Sequence, residues 1–423
     1  MLENRFTEAL QRGSLPASQL LERLDVSPAT LSRLVKRVPA VERIGRARAT
    51  RYALREHRAA LPDIELPVYR IDARGDVIPV GRLVTLASDQ LAWQPAGTLF
   101  DGLPPEVDDM KPAGFLGRAF ERHNDDLGIA TPMSLWSNTD ILRIVSLRGG
   151  DLAGNLVVGD DSIRQSQRAP TTLQREDLAA AADAALDGAP GRSSAGGEQP
   201  KFTGVLDGQH CIIKFAGGQN DVQRRWSELL LLEHLALSSL RDAGVPAAET
   251  DIVDQGDYRF LVVKRFDRVG LRGRRPVLSL ANALQEPQRR WATGARLLNS
   301  SGRLSADDAR TLALFDAFGM WILNGDRHHY NVLFFISHDT SGARIERFHI
   351  APAFDQLPMN LAPRAGGHLP ALRFEPPLPH EAVSAVWADA KRIAAQFWSK
   401  AASEPRLSTE IRSLCETAAR ATR

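Results

Sequence analysis

The chain has 423 residues, 43% of them hydrophobic, and a formal net charge of +2, which is enough apolar material for two or three packed cores. No apolar run reaches the ~20 residues of a membrane helix, and the opening "MLENRFTEALQRG" lacks a leader's uninterrupted apolar stretch. Two cysteines, Cys211 and Cys415, exclude a disulfide framework and lack metal-ligand spacing, so the expected setting is a reducing cytoplasm with no membrane partner.

Charge is unevenly spread. Residues 1–62 carry 12 Lys+Arg against 6 Asp+Glu, a net of +6, which leaves −4 for the remainder. A basic module heads a mildly acidic body. Its sequence predicts helix, helix, turn, helix and a short ribbon. In "LPASQLLERLDVSPATLSRLVKRV", Leu20, Leu21 and Leu24 stripe one helix, and Leu31, Leu34 and Val35 stripe the next. Between them Ser27 and Pro28 form a helix start. The second helix directs Ala29, Thr30, Ser32, Arg33, Lys36 and Arg37 outward, short polar residues first and cations behind, as a major-groove reader with phosphate clamps requires. "VERIGRARATRYALR" follows with Arg43, Arg46, Arg48 and Arg51 around Gly45, as a basic wing would. Residues 1–62 are therefore expected to be a winged helix-turn-helix that binds DNA. The plainer alternative is a small helical bundle with a solvated basic face.

From residue 63 to about 170, alternation with turn signals at "ARGD" and "ASD" predicts a small β-rich unit. Beyond it "TLQREDLAAAADAALDG" reads as a helix running into the Gly/Ser/Pro-rich "APGRSSAGGEQPKF". Next come a strand "HCIIKFA", an apolar helix "RRWSELLLLEHLALSSL" and a hairpin "TDIVDQGDYRFLVVKRFDR" turning at "QGD". "RVGLRGRRP" is expected to be an exposed loop, and the chain after Ser305 mostly helical, interrupted by "LNGDRHHYNVLFF", which lies between a helix-like and a strand-like stretch, and by "RFHIAPAFDQLPMN".

Five stretches carry chemistry. In "LNGDRHHYNVLFF", Asp326 and Asn331 are five positions apart, the interval between the base and the metal-binding Asn of a kinase catalytic loop. The plainer reading of Asn324-Gly325 is a hairpin turn. Asp355 follows the short apolar run of "HIAPAFDQLP", where a second magnesium ligand is needed. Lys214 interrupts the apolar "CIIKF", which points to an anionic ligand; the plainer reading is an edge residue whose head stays in water. Lys264 in "VVKRF" reads as a residue whose stem packs while its head stays in water. Glu228, on the helix after Lys214, is either its ion-pair partner or part of a solvated face. Neither a kinase glycine loop nor a P-loop occurs. Only "SSAGGEQPK", with Gly196, Gly197 and Lys201, offers bare amides and a cation ahead of the Lys214 strand. His328 and His329 lack a third ligand at metal spacing and read as loop packing or a phosphate contact.

Taken together, "SAGGEQPK", "CIIKF", "VVKRFDR", "NGDRHHYN" and "APAFDQLP" resemble, in order, the HipA-type serine/threonine kinases, toxins of bacterial toxin–antitoxin modules. The resemblance runs from about residue 64 to the C-terminal region. It implies an α+β fold: a two-lobed protein-kinase-like domain over 171–423, its N-lobe ending near 266, with a HipA-type β-rich subdomain over 63–170. It also implies ATP and Mg²⁺ as ligands and a protein Ser or Thr as acceptor. Asp326 would be the catalytic base, and Asn331 and Asp355 the metal ligands. Lys214 would hold the phosphates, with His328 beside them. The backbone from Lys264 to Phe266 would form the adenine hinge, with Asp267 near the ribose. Ala195, Gly196, Gly197, Glu198, Gln199 and Lys201 would belong to the phosphate loop, and Ser194 would be the autophosphorylated serine. An aminoacyl-tRNA synthetase is the substrate expected by analogy, and an antitoxin the expected partner. Two departures stand out: Glu198 puts an acid in the phosphate loop, and the chain carries its own DNA-binding module, as HipA-related proteins with a fused domain do. The alternatives are a DNA-binding regulator with a kinase-like nucleotide-sensing body and a small-molecule phosphotransferase on the same fold.

Overall fold

The computed structural model describes residues 1–187, 199–284, 290–340, 342–364 and 366–423. They form two compact units. The first comprises Met1–Lys111, Asn124–Arg168 and Ser337–Glu346; the second comprises Pro112–His123, Ala169–Ile336 and Arg347–Arg423.

The first unit opens with helices Leu2–Leu10, Ala17–Leu24 and Pro28–Arg37, followed by a ribbon of Val41–Ile44 and Arg51–Leu54 whose second strand also pairs with Leu15–Pro16. Ser27 starts the third helix by accepting from the Thr30 N–H at 3.3 Å, with Pro28 next, while Asp25 turns the chain in the left-handed region. Phe6, Leu10, Leu20, Leu24, Leu31, Leu34 and Val41 fill the core of this part. The predicted helix order and apolar stripes are those observed.

This helical part is fastened to a five-stranded antiparallel sheet. Its strands run, in spatial order, Thr98–Asp101, Gln90–Gln94, Val77–Thr85, Glu65–Ile71 and Leu156–Val158. The Gln94 amide donates to Glu42 and to the Arg43 carbonyl, both at 2.8 Å, and the Ser14 N–H donates to Gln90 Oε1 at 2.8 Å. The two backbones touch at Gly45 and Gly97, where a Cβ on Gly97 would stand 2.8 Å from the Gly45 nitrogen. The basic ribbon and the sheet are thus one packed body. The expected "ARGD" turn is present, with Asp72 Oδ1 accepting from the N–H groups of Arg74 and Asp76 at 2.8 and 2.9 Å. Within this unit Arg70 is buried and forks onto Glu106 at 2.8 and 2.9 Å. Burial alone would raise the Glu106 carboxyl, but Arg70 and His338 outweigh it and hold it at about 2.

The second unit is built on another five-stranded sheet, ordered Thr250–Gln255, Tyr258–Lys264, Gln209–Ala216, Lys201–Leu206 and Thr172–Leu173. Alternation along its central strand decides everything around it. Cys211, Ile213 and Phe215 face a core with Leu178, Ala182, Leu186 and Phe115. Lys214 faces the other way, toward the 22-residue helix Asp221–Asp242.

Helices Trp291–Ser300, Ala306–Trp321, Trp387–Ala402 and Thr409–Thr422 form most of the remainder; the second and third meet where Phe318 packs on Phe397 and the Trp398 indole donates to the Trp321 carbonyl at 3.1 Å. Two expectations need correction. The chain after Ser305 is less helical than expected: besides the strand-like stretch after the Asp326 turn, observed as Leu333–His338, it holds the strand Ile345–Ile350, and residues 368–380 hold no regular element. Pro370, Pro376, Pro377 and Pro379 explain the latter, because each lacks an amide donor and disfavours helix in the residue before it. "RVGLRGRRP" is not a fully exposed loop: Arg268–Val269 pairs with Gly273–Arg274, whose two residues are buried. Among the described residues no helix is long and apolar enough to cross a membrane.

Candidate active site

Lys214 lies in the middle strand of the second unit's sheet and is 6% exposed. Its Nζ donates to both oxygens of Glu233 at 2.7 Å and to Asp355 Oδ1 at 2.6 Å. Burial opposes the ammonium's charge, but Asp355 and then Glu233 outweigh it, so Lys214 is held charged above its ordinary range. The two carboxylates are pushed apart. Glu233 is raised by burial, with Asp355 adding to the effect; Asp355, also penalised by burial, is brought below its ordinary value by Lys214 and then Lys201.

The partner of Lys214 is Glu233, not Glu228. Glu228 instead accepts from the Ser408 N–H at 2.8 Å and lies 3.5 Å from Arg225. The signal for Glu233 was in the sequence: an acid at the end of "LLLL", on a helix stripe that otherwise buries leucines, carries the same message as a lysine inside "CIIKF".

Asp326 follows the helix Ala306–Trp321 in a turn that Leu323 enters in the left-handed region. This turn joins a helix to the strand Leu333–His338, so the hairpin reading of Asn324-Gly325 does not hold. The main chain of Asp326 is pinned from both sides: its N–H donates to Asn324 Oδ1 at 3.0 Å, and its carbonyl accepts from Asn331 Nδ2 at 2.9 Å. Its carboxylate is half exposed, with His328 Nε2 at 3.8 Å. Asn324, 1% exposed and missed by the sequence reading, turns its amide to the Asp355 carbonyl at 3.3 Å and to Gln356 Oε1 at 3.4 Å. The Asp326–Asn331 turn and the Asp355 segment are therefore tied together. Asp355 itself sits at φ 51°.

Other expected residues are committed locally. Lys264 pairs with Glu249 at 2.5 Å, as a residue with a solvated head would. Its N–H and that of Arg265 donate to the carbonyls of Glu249 and His210, both at 2.9 Å. Asp267 is buried between Arg265, at 2.9 Å, and Arg268, at 2.6 Å. Phe266 packs its ring 5.9 Å from both Phe335 and Phe354. The Gln199 amide donates to the Phe215 carbonyl, and Lys201 stands opposite Lys214 in the sheet register. Ser194, Ala195, Gly196, Gly197 and Glu198 lie outside the described residues. Among the described residues no group of three or more His, Cys, Asp or Glu is placed to hold a metal. Asn331 and Asp355 supply hard oxygen donors, the type Mg²⁺ takes in ones and twos beside phosphate.

In the first unit Ser32, Arg33, Lys36, Arg37, Arg46 and Arg48 are exposed. Thr30 is half-buried with its hydroxyl 3.0 Å from Ser27, and Arg51 is turned inward onto Ser14.

Residues 193–422 match the HipA-like C-terminal domain, and residues 63–167 match the middle domain of YjjJ-like toxins. The chain is 32% identical to Toxin YjjJ of Escherichia coli (strain K12), with 98% of this chain and 96% of that protein covered. The chain belongs to the HipA-type toxin family. The fold agrees: HipA of Shewanella oneidensis MR-1, solved with HipB and its operator DNA, superposes with a TM-score of 0.55 at 17% identity, covering 84% of this chain and 95% of that one. Within this HipA-type chain the Lys214 triad and the Asp326 turn both fall in the C-terminal match.

Because Glu233 is buried against Lys214, Lys214→Met should destabilise the protein by about 3 kcal/mol through the carboxylate left behind. Glu233→Gln in the same background should recover part of that loss. Urea unfolding of the two single variants and the double variant measures the coupling, and strict additivity would contradict the triad.

Proposed function

We propose that this HipA-type toxin is an ATP- and Mg²⁺-dependent serine/threonine protein kinase. The observation that carries the reading is Lys214, a buried cation on a central strand with Asp355 as a displaceable second partner. A substrate phosphate at Lys214 would replace Asp355 there, with Glu233 keeping the ammonium in position, and Asp355 would then be one of the residues to hold Mg²⁺. Bound Mg²⁺, held by Asn331 and Asp355, would screen phosphate charge. Asp326, half exposed on a turn fixed at both main-chain ends, accepts the proton of the attacking hydroxyl. In this reading His328 contacts a phosphate oxygen, and the Lys264–Phe266 backbone with Asp267 borders the adenosine. Ser194, just ahead of the proposed phosphate loop through Lys201, is the autophosphorylation site. A phosphate there adds about −1.5 to −2 charge and repels nucleotide.

A second reading is favoured by the exposed cations of residues 1–62, the proposed winged helix-turn-helix: a DNA-binding regulator whose kinase-like body only senses nucleotide. HipB and operator DNA accompany the solved HipA neighbour. Here the basic module would bring DNA to the toxin in cis, beside or instead of an antitoxin.

Labelled ATP with Mg²⁺ separates these readings. Wild type should label Ser194, Ser194→Ala should lose that label, and Asp326→Asn should be slower by roughly 10²-fold or more. Equal rates in wild type and Asp326→Asn would sink the kinase assignment. Duplex DNA binding by fluorescence anisotropy should weaken as salt rises, and replacing Arg33, Lys36 and Arg37 by Ala should flatten the log–log slope by about 1 per lost phosphate contact. An unchanged slope would remove this face from the DNA interface.

A further inference from the structure

Asp316 is an acid in the apolar run "LALFDAFGMW", 2% exposed, and no step proposed above uses it. Its Oδ1 accepts from Arg327 Nε at 3.1 Å. Its Oδ2 accepts from the Ala292 N–H at 3.1 Å, at the start of the helix Trp291–Ser300, and has His380 Nε2 at 3.7 Å. Arg327 is the residue after Asp326, and its other end donates to the Asn324 carbonyl. The preceding helix makes room for it: a Cβ on Gly319 would stand 2.7 Å from Arg327 Cδ. The indole of Trp291 donates to the His328 carbonyl at 3.0 Å, so the same helix start holds the chain just beyond Arg327 as well.

We propose that Asp316 is a positioning residue for phosphoryl transfer, locking Arg327 into the Gly319 notch and thereby fixing the Asp326–Asn331 turn against the Asp355 segment. This rests on the kinase reading. A buried ion pair need not stabilise a fold more than apolar residues of equal size would. Asp316, however, spans three separate segments, and Arg327 and the helix start it binds both lead to the turn carrying Asp326. Asn324 extends the chain of contacts, since its carbonyl takes Arg327 and its amide takes the Asp355 carbonyl at 3.3 Å. Displacing the turn by even 1 Å moves the base away from in-line geometry, while the nucleotide contacts proposed outside the turn, Lys214 and the Lys264–Phe266 backbone, stay in place, so turnover should suffer more than binding does.

The test uses the full chain. Asp316→Ala, Arg327→Ala, the double variant and Gly319→Ala are assayed for phosphoryl transfer at saturating ATP and for ATP binding by calorimetry, with circular dichroism to confirm folding. In folded protein each should lower kcat by about tenfold to a hundredfold. KM for ATP and calorimetric affinity should change far less than kcat, staying within about threefold of wild type, since Lys214 and the Lys264–Phe266 backbone lie outside the turn. The double variant should be no slower than the worse single variant, because the two residues act as one unit. Gly319→Ala keeps both charges, so a kcat loss there separates positioning from charge. Folded Asp316→Ala with wild-type kcat overturns the role while leaving the kinase reading intact. A loss confined to ATP affinity, or additive losses in the double variant, overturns it too. A wild-type protein that binds ATP but transfers no phosphate overturns the kinase reading itself, and this role with it.

Discussion

A lysine ammonium taken out of water costs several kcal/mol unless anions surround it, and Lys214, 6% exposed, has Glu233 and Asp355 at 2.6–2.7 Å. That requirement organises the second unit. The central strand must present alternate faces, apolar on one side and Lys214 on the other. The helix Asp221–Asp242 must run far enough to bring Glu233 over the strand, and the Asp355 segment must return to the same point from more than a hundred residues away. Of the two acids, the Glu233 side chain is 1% exposed and the Asp355 side chain 29%, so Asp355 is the partner better able to leave.

Around that cluster, polar groups that would be costly if unpaired are used to hold backbone. Asn324 is buried and spends its side chain on the N–H of Asp326, the carbonyl of Asp355 and the amide oxygen of Gln356. Asn331 closes the turn from the other side. The half-exposed Asp326 carboxylate therefore sits on a fixed main chain while its own oxygens stay available, which suits a group that must meet a proton from outside.

Much of this was legible before any coordinates. The helix order of residues 1–62, the strand around Lys214 and the "QGD" hairpin follow from apolar period and turn chemistry alone. The five motifs gave the family, and the comparisons support it. The sequence reading did not settle which of two acids meets Lys214. Glu228 and Glu233 lie on the same helix, and the one clue was the leucine run ahead of Glu233; Glu228, beside Arg225, is itself largely shielded from water. Lys214 and Lys264, by contrast, are separated by the sequence reading as they are in the fold: one is buried in the middle of its strand and the other, at a strand end, keeps its head in water. The irregular 368–380 stretch was readable from its prolines. The pairing of Gly273–Arg274 was not, because a two-residue ladder leaves no periodic trace.

The most direct test is a crystal structure with Mg²⁺ and a non-hydrolysable ATP analogue. The account predicts a phosphate oxygen within about 3 Å of Lys214 Nζ, the distance of a charge-assisted hydrogen bond. Glu233 should still be paired with Lys214, and the Asp355 carboxylate should have moved to the metal beside Asn331. An analogue bound elsewhere, or bound here with the Lys214–Asp355 pair unbroken and the metal on other residues, would contradict it.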